Sequence, residues 1–266
     1  MKVSRRTFLE SSAVTAAAAA QQTGVVVRDG PASSNFRPVP LAGNITFATL
    51  GSAGVSEDMA KAASQAPAGE TVSWGIPFRI GRPVLLQDKP VTETTGGLKA
   101  QWLVFLHTTD TKPLAPGPAG LIHPMRGEGF LGEHVADYIL VYADGAEVKQ
   151  EIRRRHQVGM LRRRWGENCF QAVAQRKPHA LRPVHEQPSM LVDAGGGLGW
   201  GQGETRVQNP DQAPWMNWLW AWENPHPEKE IAAIRFEPKQ AGLVISAVSA
   251  GSASAHPLRW DTRRKA

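Results

Sequence analysis

What most limits the folds open to this chain is the way its apolar residues are broken into short runs. Residues 74–80 (WGIPFRI), 83–87, 101–107 (QWLVFLH), 137–142 (DYILVY), 147–152, 216–222, 231–236 and 243–249 are rich in aromatic and branched side chains and are separated by Gly, Pro and Asp. Such side chains fit a pleated, half-buried surface, and the residues between them favour turns, so each run reads as a strand. No window sustains a 3.6-residue apolar stripe apart from one short helix expected over 57–64 (EDMAKAAS). Residues 44–50 (NITFATL), bounded by Gly43 and Gly51, read as a further strand. The Asp144-Gly145 pair between two runs predicts a hairpin over 137–152, because a two-residue turn needs positive φ.

The patterning also says which faces meet a core. The run 103–106 is apolar on both faces, as a central strand would be, whereas Phe78 and Ile80 point one way and Arg79 the other. Ile234 and Phe236 likewise oppose Ala233 and Arg235. Many short strands with Pro- and Gly-rich connections make an all-β fold, an antiparallel β-sandwich, the expected architecture, with one domain over 42–252. Residues 23–41 are polar and proline-bearing and read as a linker, with an extended lead-in at 35–40; residues 253–266 read as a basic tail.

At the other end of the chain, Arg5 and Arg6 lie in the string SRRTFLE and precede an alanine-rich stretch over 11–20. The string resembles the twin-arginine export signal, departing from it only at Glu10. This resemblance implies a signal over 1–22, passage through the twin-arginine machinery of a chain already folded, and a periplasmic or secreted destination. Without that segment, 27 Lys+Arg stand against 23 Asp+Glu, a mild excess of four. With no nucleic-acid-reading motif, no nucleic-acid partner is expected. Cys169 is the only cysteine, so no intramolecular disulfide can form. Beyond the signal no apolar run approaches the roughly 18 residues of a membrane span, and none is expected in the mature chain.

Several strings, taken in order, are similar to the galactose-binding-like jelly-roll domains that accompany bacterial secreted hydrolases. They are WGIPFRI (74–80), FLHTT (105–109), GEHVADYILVYADG (132–145), EIRRRHQVG (151–159) and WENPHPEKEIAAIRFEP (222–238). The resemblance implies a jelly-roll sandwich that serves as an accessory module to a partner hydrolase.

Nine tryptophans are the residues best suited to binding, and five of them fall between 200 and 222. An indole stacks on the apolar face of a sugar while amides and carboxylates take its hydroxyls. Trp218, Trp220 and Trp222 recur at period two and are expected in a core strand. Trp200 and Trp215, in glycine- and proline-rich sequence, are the candidate stacking platforms, with Glu204, Asn209 and Asp211 as hydroxyl partners. Six arginines fall in the twelve positions from 153 to 164, and Arg153 and Arg155 are candidates for pairing the carboxylates of an acidic polysaccharide; a solvated, ion-paired loop is the competing expectation.

The eight histidines show no zinc spacing, so no catalytic metal and no cofactor are expected; a structural calcium on Asp137, Asp144 or Glu133 stays open. Carboxylate pairs such as Glu133 with Glu167, or Glu204 with Glu223, keep a carbohydrate-active hydrolase open as a rival. The leading expectation is an exported, non-catalytic sandwich that binds carbohydrate or assists a partner hydrolase. A purely structural or protein-interaction module is the third.

Overall fold

A computed structural model describes residues 29–112, 129–162, 169–176 and 214–258. Two antiparallel sheets pack face to face, the sandwich that the patterning predicts. The larger sheet runs in the order β1 (Phe36–Val39), β12 (Leu243–Gly251), β6 (Trp102–Thr109), β10 (Trp218–Glu223) and β9 (Ala172–Ala174). β6 pairs with one edge of β12 along its length, so β1 and β4 (Val84–Leu86) share the other edge. The smaller sheet orders β5 (Val91–Leu98), β11 (Ile231–Pro238), β7 (His134–Tyr142) and β8 (Glu147–Arg153). A separate hairpin, β2 (Gly69–Ser73) with β3 (Ile76–Ile80), lies over the outer face of the larger sheet.

Every residue of β6 is buried, and its two faces feed two cores. Leu103 and Phe105 join Trp218, Trp220 and Trp222 of β10 and Tyr138, Leu140 and Phe236 of the smaller sheet to fill the space between the sheets. Trp102, Val104 and Leu106 face the other way, where Phe78 and Ile80 of the hairpin, Phe47, Leu50 and Met59 cover them. Burying one such aromatic or branched side chain stabilises the fold by roughly 1.5–3 kcal/mol, so the continuous run in β6 anchors both layers at once. In β12 a bulge between Ile245 and Ala247 shifts the alternation, so that Val248 and Ala250 still face the inter-sheet core.

The Asp144-Gly145 turn connects β7 to β8, with Gly145 at φ 82° and the Asp144 carboxylate accepting from the amide of Ala146. The turn of the β2–β3 hairpin holds both Trp74 (φ 56°) and Gly75 (φ 75°) in the left-handed region. Tryptophan is strained there, and its indole N–H is tied to the carbonyl of Ala174 on β9 at 2.9 Å. The short helix forms as α1 (Glu57–Ala63), capped by Ser56.

Two expectations need correction. Residues 44–50 do not form a strand: Phe47–Ser52 is a short 3₁₀ helix, because Thr46 and Thr49 bond each other's backbone in a capping box, an alternative that a ladder cannot match locally. The sheet also starts within the expected linker, at β1. Its Pro38 costs no ladder bond because β1 is an edge strand.

Candidate functional site

The strand ends at one rim of the sandwich bring polar residues together. β4 ends before Gln87, β6 before Asp110, and β12 begins after Gly242; the register Leu86–Leu243–Thr109 puts these three ends side by side. In the smaller sheet, β11 ends at Pro238 beside Ala136 of β7, and Arg154 follows β8 at the same rim. The result is a cleft of about 360 Å³ lined by Ser56, Gln87, Asp110, Thr111, Lys112, Arg154 and Gln240, with glycines at its margin.

Each charge in the cleft is held in place. Asp110 is buried, and its carboxylate accepts from the Ser56 amide (2.6 Å), the Ser56 hydroxyl (2.5 Å) and the Thr111 amide (2.7 Å). Arg154, with its side chain 3% exposed, donates to Thr109 Oγ1 (2.9 Å) and the Asp110 carbonyl (3.2 Å), and its Nε lies 3.4 Å from Glu133. Lys112 forms an ion pair with the other Glu133 oxygen. Burial by itself would push the Glu133 carboxyl up, but bonds from Lys112 and Gln240 and the charges of Lys112 and Arg154 outweigh it and hold the carboxyl below its usual range. Gly129 makes the close approach possible: at φ 68°, an added Cβ would lie 2.6 Å from Glu133 Oε2 and 2.8 Å from Arg154 Cδ.

Three large apolar side chains are exposed among the described residues. Phe130, Leu131 and Phe170 are 55%, 53% and 73% exposed, and the Phe170 ring lies 5.1 Å from that of His156. The amide of Phe170 donates to the Arg155 carbonyl, which fixes this ring beside the Arg154–His156 turn.

Of the residues singled out in the sequence, Trp200, Glu204, Asn209 and Asp211 lie outside the described residues, as do Arg5, Arg6 and Glu167. Trp215 is not a surface platform. It is 3% exposed, edge-on to Phe47 at 5.3 Å, with its indole N–H donating to Asn217. The alternation of β10 continues backwards to it: Trp215 shares a core with Leu219 and Ala221, and the Met216 amide bonded to the Leu161 carbonyl draws the segment inward. Arg153 chelates Glu151 (2.5 and 3.1 Å) and donates to the Gly132 carbonyl. Arg155 sits at φ 60°, with its amide closing the turn onto Val158.

The carboxylates considered for calcium lie apart, each against cations. Asp137 accepts from His134 (2.7 Å) and faces Lys239 (3.2 Å) and Lys149 (3.5 Å); Asp144 pairs with Lys229. Among the described residues no three His, Cys, Asp or Glu side chains gather as a metal-holding group, and no helix is long and apolar enough to cross a membrane.

The cleft itself was hardly visible in the sequence. Gln87, Asp110 and Gln240 each sit just beyond a strand, spread over more than a hundred positions, and only the arginine run pointed towards Arg154. No family model matches this chain, and no curated protein does either.

Proposed function

We propose that this protein is an exported, non-catalytic β-sandwich module that binds carbohydrate through the rim cleft, in the service of a partner hydrolase, on the jelly-roll plan its sequence resembles. The observation that carries this reading is the lining of the cleft. Two amides, two hydroxyls and three charged groups meet around about 360 Å³, a volume suited to a sugar unit and a chemistry suited to its hydroxyls. We assign Trp200, in glycine-rich sequence, to stacking on the sugar face. The twin-arginine string supports a destination outside the cytoplasmic membrane, where polysaccharides are found.

Affinity electrophoresis through gels that contain a panel of polysaccharides tests this. The mature chain is retarded in at least one gel, and Gln240→Ala and Trp200→Ala each weaken that retardation while leaving the melting temperature in place. Absence of retardation in every gel contradicts the reading. The exposed Phe130, Leu131 and Phe170 favour a second role for the neighbouring surface as the contact to a partner protein, since exposed aromatic anchors of this kind mark protein interfaces.

A further inference from the structure

Arginines and lysines at a glycan site ordinarily suggest an acidic sugar, and the run from 153 to 164 invites that reading. The pairing of these residues points elsewhere. The cleft lining holds two cations, Lys112 and Arg154, and one carboxylate, Asp110, while Glu133, outside the lining, pairs with both cations. Glu133 touches both cations at once, and Asp110 is saturated by Ser56 and Thr111. Outside the cleft, Arg153 is taken by Glu151, Arg162 faces Asp58 at 3.4 Å, and Arg235 is clamped by Glu147 and Glu237. A carboxylated sugar entering the cleft would meet the Asp110 carboxylate and two cations already paired with Glu133, and like charges brought together out of water are costly. A neutral sugar unit meets only hydrogen-bonding groups held in place by their ion pairs.

We infer that the cleft takes an uncharged, hydroxyl-rich sugar unit, and that Glu133 sets this preference by ion-pairing with Lys112 and Arg154, which together with Asp110 leaves the cleft without excess positive charge. The inference rests on the glycan-binding reading above and names its ligand class. Glu133 is a specificity residue, and its carboxylate is replaceable by an amide of the same shape that keeps hydrogen-bonding capacity and loses the charge.

The test runs wild type and Glu133→Gln through gels of a neutral polysaccharide, such as galactan or xylan, and of polygalacturonate, at low salt and at about 0.3 M salt, where exposed charges are largely screened. Wild type is retarded in a neutral gel equally at both salt concentrations and is not retarded in polygalacturonate. Glu133→Gln gains polygalacturonate binding by roughly tenfold at low salt, the order expected when one charge near a protein surface is unmasked, and loses that gain at high salt. Wild-type retardation in polygalacturonate that salt abolishes overturns the inference and leaves the glycan-binding reading standing. Retardation in no gel removes both. If Glu133→Gln does not fold, the wild-type salt comparison still decides the preference.

Discussion

His107 shows how much of this protein's behaviour is set by single buried side chains. It lies wholly within the inter-sheet core, stacked near Phe105 and Trp220. Its Nε2 faces the Gln157 carbonyl (2.9 Å), which can only accept, so Nε2 carries the proton and Nδ1 accepts from the Tyr138 hydroxyl (2.7 Å). Burial pushes its pKa from 6.5 down to about 4. The folded state therefore keeps His107 neutral, while the unfolded chain binds a proton below about pH 6.5, so stability falls as pH drops through this window and the loss ends near pH 4. From about pH 7.5 to about pH 5 the loss from this group is about 2 kcal/mol. Urea unfolding across that range is expected to show the slope in wild type and a flatter profile in His107→Phe; an equal slope in both would contradict the assignment. At this scale the sequence was legible where alternation was regular, as at Trp218, Trp220 and Trp222, all buried. It misled at Trp215, because the proline before it hid the continuation of the same alternation through Asn217.

At the scale of elements, the strands that are dense in aromatic and branched residues could all be read, including the hairpin around Asp144-Gly145. Those that could not be read are stabilised from outside themselves. β5 (VTETTGGL) carries two glycines and three threonines and persists as an edge strand on β11. β1 is a four-residue edge strand with a proline, and it depends on β12. The opposite failure, at 44–50, arose where a local capping box overrode a strand-like alternation. α1 was legible, and it links an element to the cleft: Ser56 caps it by accepting from the Met59 amide (3.1 Å) while donating to Asp110. Ser56→Ala removes both bonds and is expected to lower stability by about 1–2 kcal/mol, measurable as a lower urea midpoint with an unchanged slope. An unchanged midpoint would mean that Asp110 finds another donor.

At the scale of the whole molecule, three layers share one central strand, and the fold places the ends of β4, β6, β8, β11 and β12 at a single rim. That convergence creates the cleft, and it is a property of topology. Residues such as Gln87, Asp110 and Gln240 carry no mark in a linear reading, because each is only an ordinary polar residue after a strand until the registers of two sheets bring it to the others. The architecture was therefore legible and the site was not. Hydrogen exchange of the mature chain, with and without the polysaccharide that retards it, reads the claim at this scale. Added glycan is expected to slow exchange at Ser56, Thr111, Lys112 and Gly242 around the cleft, and to leave the outer strand β8 as it was. Protection confined to β8 or to the Phe130–Phe170 surface, with the cleft amides unchanged, would contradict the account.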